Sequence, residues 1–202
     1  MTERAVGVRT DVRTARRITV QRQRLRAAPA AGDLKAWACA ALADHPGPAD
    51  ITIRSVDDAE MRALNLRYRG QDRATNVLSF PLALGFDAVP AGAAPQSASI
   101  GLRGDIVICA PVVAAEAAAQ HKPCAAHWAH LTVHAVLHLL GYDHETATDA
   151  AVMEAREVSV LEGLGIPDPY VTRDDIDAGA APAAENWPAA RQAAAKHRAG
   201  KP

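Results

Sequence analysis

The stretch HWAHLTVHAVLHLLGYDH, residues 127–144, decides how this 202-residue chain is read. It predicts a helix over about 125–140 that stops at Gly141, a residue suited to the left-handed position just past a helix end. His134 and His138 are four residues apart, so their rings project from one face about one turn apart. That spacing lets two imidazoles share one ion at Zn–N distances of ~2.0–2.1 Å. The glycine turn lets the chain fold back, and His144 returns a third imidazole. Three histidines with an open fourth position form the pattern of a catalytic zinc site rather than a closed structural one. The expectation is a metal-dependent hydrolase with one Zn²⁺ per chain, held by His134, His138 and His144.

Other residues of the stretch take lesser roles. His130 and His138 are eight residues apart, ~12 Å along a straight helix, and cannot easily reach one ion. His130 is therefore expected to support the site, and His127 likewise; His45, His121 and His197 read as surface histidines. The residue after His134 is Ala135, where an HExxH zinc peptidase needs a glutamate as its base. That counts against peptidase chemistry. A base or charge stabiliser must come from elsewhere, and the candidates are Asp143 and Arg69. Asp143 is equally suited to orienting a ligating imidazole. Asp105 and Glu116 are weaker options and read as structural.

Outward from the histidines, strands are predicted at Ile18–Gln23, Ile51–Val56, within Thr75–Pro81, and at Gly104–Cys109. Helices are predicted over 33–44, capped by Asp33, over 57–67, where Asp57 and Glu60 form a capping box, over 111–120 after Pro111, and over 146–163. Residues 83–100, rich in Ala, Gly and Pro, read as a loop. The sum is one α+β domain over 18–170 with about four strands and five helices, flanked by a flexible basic arm at 1–17 and a disordered tail at 171–202.

Composition narrows the class. Hydrophobic residues are 49% of the chain, enough for a core, although much of that share is alanine, which buries little area. Net charge is −1, so bulk charge names no partner. Its distribution is uneven: residues 1–27 carry a net +6 and residues 143–177 a net −8. Three unpaired-looking cysteines, Cys39, Cys109 and Cys124, exclude a disulfide framework and suit a reducing cytoplasm; Cys39 and Cys109 are expected to be buried. No secretory signal and no membrane-length apolar run is seen.

The motifs also carry a family resemblance. HAVLHLLGYDH (134–144) resembles the signature of the YbeY-type endoribonucleases, bacterial rRNA maturation factors. Leu64-Asn65 with Tyr68-Arg69-Gly70, the segment TNVLSFP (75–81), GDIVI (104–108), and LGIP with Pro169-Tyr170 follow in the family's order. Asn76 stands where many members show Asp. The resemblance implies a small mixed sheet, a zinc helix like that of the metzincins, and cleavage of single-stranded RNA rather than DNA. It further implies a part in maturing the small-subunit rRNA 3′ end and in ribosome quality control, with ribosomal particles as partners and no membrane. It carries the three ligands to His134, His138 and His144, and the functional arginine to Arg69. Arg54, Arg62, Arg67, Arg73 and Arg103 are candidates to line a basic groove with it. The competing readings are a metal hydrolase acting on another substrate, a non-catalytic assembly factor with structural zinc, and a plain metal-binding protein.

Overall fold

The computed structural model describes residues 15–22, 28–82 and 101–171. Within them the order is β1 (Arg16–Arg22), α1 (Ala31–Ala41), β2 (Ala49–Val56), α2 (Asp58–Arg69), β3 (Val77–Pro81), β4 (Leu102–Cys109), α3 (Ala110–Ala119), α4 (Cys124–Leu139) and α5 (Ala147–Gly163). The strands form one sheet in the order β1-β2-β4-β3. β1, β2 and β4 run parallel, and β3 lies antiparallel to β4. The architecture is thus α+β with a four-stranded mixed sheet and five helices, as expected.

Side-chain alternation explains the layering. In β2, Ala49, Ile51 and Ile53 point to one face and are buried, while Asp50, Thr52 and Arg54 between them are only partly covered. Ile18, Ile106 and Ile108 share that inner face with α1 and α4, in a core that also takes Leu34, Trp37 and Trp128. A second, smaller cluster of Val56, Met61, Leu78, Val107 and Cys109 joins β2, α2, β3 and β4. α4 is the centre: ten of its 16 residues are buried. A helix so enclosed leaves only a narrow stripe free to carry polar side chains.

Local signals held at the ends that matter most for the site. Asp57 caps α2 by accepting the Glu60 N–H at 2.9 Å, and α2 ends at Gly70 with φ 69°. At the end of α4, the Gly141 N–H bonds the His138 carbonyl and the Tyr142 N–H bonds the Leu137 carbonyl, both at 3.0 Å, with Gly141 at φ 92°. That paired bonding turns the chain sharply back toward the helix it has just left.

Several expectations need correction. β1 begins at Arg16, so two residues assigned to the arm are in the sheet, paired with Ala49 and Asp50. α1 starts at Ala31, and Asp33 sits inside its first turn rather than capping it. Cys39 is exposed, because the buried stripe of α1 is Leu34, Trp37, Ala38 and Ala41. His45 is half-buried and its Nε2 has no hydrogen-bond partner. Residues 1–14, the loop expected at 83–100, and 172–202 with His197 lie outside the described residues. Among the described residues, no helix is long and apolar enough to cross a membrane.

Gly104 sets how closely α4 approaches the sheet. A Cβ there would lie 2.6 Å from Leu139 Cδ2 and 3.0 Å from the Phe80 carbonyl oxygen. Gly104→Ala is expected to destabilise the fold by about 1–3 kcal/mol in urea unfolding. Leu139→Ala removes the nearer clash, so the double variant should lose less than the sum of the two single losses.

Candidate metal centre

The polar stripe of α4 is histidine. His130, His134 and His138 are half-buried along it, and His127 is buried at its start. The turn at Gly141 then brings the exposed His144 ring to 5.0 Å from that of His138 and 5.6 Å from that of His134, centroid to centroid. One nitrogen from each of His134, His138 and His144 lies within 4.8 Å of the other two. The structure therefore brings together the three residues that spacing alone had paired.

Hydrogen bonds decide which nitrogens face the shared point. His138 Nδ1 meets the Tyr142 carbonyl oxygen at 3.0 Å, an atom that can only accept, so Nδ1 carries the proton. His134 Nδ1 meets Glu157 Oε1 at 2.8 Å. Burial pushes the Glu157 carboxyl up, but hydrogen bonds from His130, His134 and Tyr170 more than offset this and hold it at about 2. Glu157 is thus ionised at neutral pH, and His134 Nδ1 also donates. With Nδ1 committed on each ring, the two Nε2 atoms are the ones that face each other, at 3.1 Å. Two ligands of a tetrahedral zinc would be roughly 3.3 Å apart, given Zn–N distances of ~2.0–2.1 Å. Lone pairs aimed at one point repel unless a cation lies between them, so the donor set fits a divalent ion. The His138 pKa is lowered, by burial first and then by His134 and His144, which keeps its Nε2 available as a ligand.

Glu157 is the residue that sequence reasoning missed. It is fully buried on α5 and accepts from His130 Nε2 at 2.7 Å, His134 Nδ1 at 2.8 Å and the Tyr170 hydroxyl at 2.5 Å. A signal existed: Met153, Glu157, Val160 and Leu161 form the buried stripe of α5. A carboxylate in an apolar stripe demands partners, and histidines are the natural ones. His130 and His127 both support the helix as expected. His127 Nε2 bonds Glu116 at 2.8 Å, and Glu116 also accepts from Asn76 Nδ2, so Glu116 is structural.

The three histidines line a cavity of about 470 Å³ together with Arg69, Arg73, Asn76 and Ser79. Arg69 closes α2, and the buried Asn65 one turn earlier anchors the next loop by donating to the Arg73 carbonyl at 2.8 Å. Asp143 is exposed, and its carboxylate accepts the His144 main-chain N–H at 2.8 Å; it is not among the residues lining the cavity. Asp105 does not line it either. The wider basic groove reduces to Arg69 and Arg73. Arg54 pairs with Glu60 and Arg62 with Asp72, each at 2.6 Å. Arg103 lies 3.8 Å from Asp50, and Arg67 sits over the Tyr68 ring.

A family model described as Endoribonuclease YbeY matches residues 21–165. A relative from Halorhodospira halophila named Endoribonuclease YbeY is 51% identical over 146 residues, covering 72% of this chain and 90% of its own length. Another of that name from Alkalilimnicola ehrlichii is 54% identical over 144 residues, covering 70% and 82%. A solution structure of a Thermotoga maritima protein aligns with a TM-score of 0.46 and 20% identity over 84% of this chain and 99% of that one.

Glu157 makes stability depend on pH. Its folded pKa lies below the ordinary 4.5, so it stabilises the fold fully above pH 4.5, and that contribution is lost as pH falls toward 2. Glu157→Gln should lower unfolding stability by about 2–4 kcal/mol at pH 7. The gap to wild type should narrow between pH 4.5 and 2 in denaturant titrations.

Proposed function

The chain belongs to the YbeY endoribonuclease family, and on that premise we propose that it is a metal-dependent endoribonuclease cleaving single-stranded RNA. The observation that carries the reading is the shared cavity: converging His134, His138 and His144 nitrogens with Arg69 in the same lining. We assign the three histidines as ligands of a single zinc ion, which when bound supplies Lewis acidity toward phosphate and a water-derived nucleophile near neutral pH.

The chain's own residues do the rest. Arg69 is cationic at any working pH and presents a planar fork that matches two phosphate oxygens, so it positions the scissile phosphodiester and stabilises charge as it grows there. Arg73 adds positive potential in the same lining. Glu157 and the Tyr142 carbonyl hold the His134 and His138 rings in the tautomer that aims Nε2 into the cavity. Asp143, proposed from sequence as a catalytic carboxylate, bonds the His144 main chain and fits better as the residue that shapes the turn delivering that ligand. The HExxH glutamate position holds Ala135, whose methyl group is buried in the core and supplies no base to the cavity. That weighs against a peptidase using the same ligands.

The RNA contacts rest on backbone charge rather than on base stacking. Aromatic residues are 4% of the chain, and among the described residues no Phe, Trp or Tyr lines the cavity. The reading therefore includes weak sequence preference and strong salt dependence. Maturation of the small-subunit rRNA 3′ end and ribosome quality control, in the cytoplasm and with ribosomal particles as partners, complete the proposal. They follow from the family.

The test is cleavage of a labelled single-stranded RNA by purified protein, with His138→Ala prepared identically. Wild type should cleave, and chelation or His138→Ala should abolish cleavage while the circular dichroism stays native. Arg69→Ala should slow cleavage by about 100-fold, with Arg69→Lys recovering only part. Equal cleavage by wild type and His138→Ala would sink the nuclease reading and favour a non-catalytic assembly factor.

A further inference from the structure

Beyond the cavity, one polar cluster reaches the ligands from behind. The segment after α5 leads to Tyr170, a residue 42% exposed whose hydroxyl nevertheless meets Glu157 Oε2 at 2.5 Å. Two bonds hold the segment in place. Lys122 Nζ, from the loop before α4, donates to the Pro169 carbonyl, and the Tyr170 N–H donates to Asp168 Oδ1 at 2.8 Å. The Tyr170 ring also packs edge-on against His130 at 5.6 Å. We propose that Tyr170 is a positioning residue for the metal centre, acting through Glu157 to fix the ring of His134; the inference rests on His134 being a metal ligand.

Geometry supports a relay. Glu157 reaches His134 with Oε1 alone, while Oε2 takes both His130 and Tyr170. His130 alone already holds Oε2, and the Tyr170 hydroxyl adds a second, shorter bond there that tightens the carboxylate against rotation about its last bond. The fixed Oε1 then fixes the direction of His134 Nδ1–H, and with it the line along which Nε2 points. His130, Glu157 and His134 also lie close enough to hold an ion themselves. The separations of 2.5–2.8 Å among Glu157 and its three donors are hydrogen-bond lengths, however, and both carboxylate oxygens are already occupied. The cluster supports a ligand rather than binding a second ion.

The role explains an arrangement that stability alone would not require. An exposed tyrosine contributes modestly to a core, yet this one is tied by Lys122 and aimed at the carboxylate that holds His134. Replacing the hydroxyl should therefore change the site more than the fold.

Tyr170→Phe removes only that oxygen. We expect native circular dichroism, and cobalt(II) binding, read from its visible spectrum, weakened about 10-fold. In the metal-free protein, the nitrogen-15 NMR signal of His134 Nδ1–H should shift or broaden, while that of His138, held by the Tyr142 carbonyl, stays in place. Lys122→Met, which releases Pro169, should move the same two readouts in the same direction by less. A wild type that binds cobalt alongside a Tyr170→Phe that binds within twofold, with the His134 signal unmoved, overturns the inference alone. A wild type that takes up no cobalt overturns the metal centre itself, and this inference with it.

Discussion

A helix enclosed on nearly every side must still present imidazoles to a cavity, and that constraint organises the molecule. α4 meets the sheet, α1, α3 and α5 at once. Its apolar residues satisfy those contacts, and only the line through His127, His130, His134 and His138 is left for polar chemistry. Enclosure gives the rings their precision. A side chain on a helix locked from several directions has few ways to move, and the site inherits that rigidity. The glycine turn at 141 completes the arrangement by returning His144 to the helix end within six residues of His138.

The same enclosure creates an electrostatic problem that α5 resolves. Four histidines in one stripe, if all were charged, would repel one another across a partly desolvated surface. Glu157 places one full negative charge behind the stripe. It is tolerated there because three donors converge on it; without them a buried carboxylate would take up a proton rather than remain ionised. The charge is thus both a counter-ion for the helix and a fixed acceptor that sets the tautomer of His134. Glu116 does the corresponding work for His127, more openly, with Asn76 as its second donor. Polar order and metal-site order are one network here, so a change made for one is felt by the other.

Local rules found most of the fold because its signals are local. Strand alternation in β2, the Asp57 cap and the Gly141 stop depend on neighbours a few residues away, and all three stand in the structure. The convergence of the three histidines was legible for the same reason, since His134 to His144 is one helix end and one turn. What failed depended on distant partners. Asp33 looked like a cap, but Ala30 takes that position as the chain arrives from β1. Cys39 looked buried in an apolar run, but the helix turns it away from the core. Glu157 lies 23 residues from His134, and nothing short of seeing α5 packed on α4 joins them; only its place in an apolar stripe hinted at a partner.

The arginines show the limit from the other direction. Six of them near α2 and its flanking strands suggested a broad basic groove, because a sequence reports charge without reporting what neutralises it. Arg54, Arg62 and Arg103 each face a carboxylate, and exposed pairs of that kind hold little net potential. Arg69 and Arg73 remain toward the cavity, joined by the Asn65 anchor that ties the end of α2 to the next loop. Of the six, Arg69 and Arg73 are thus the ones that line the cavity with the histidines, instead of a long basic track.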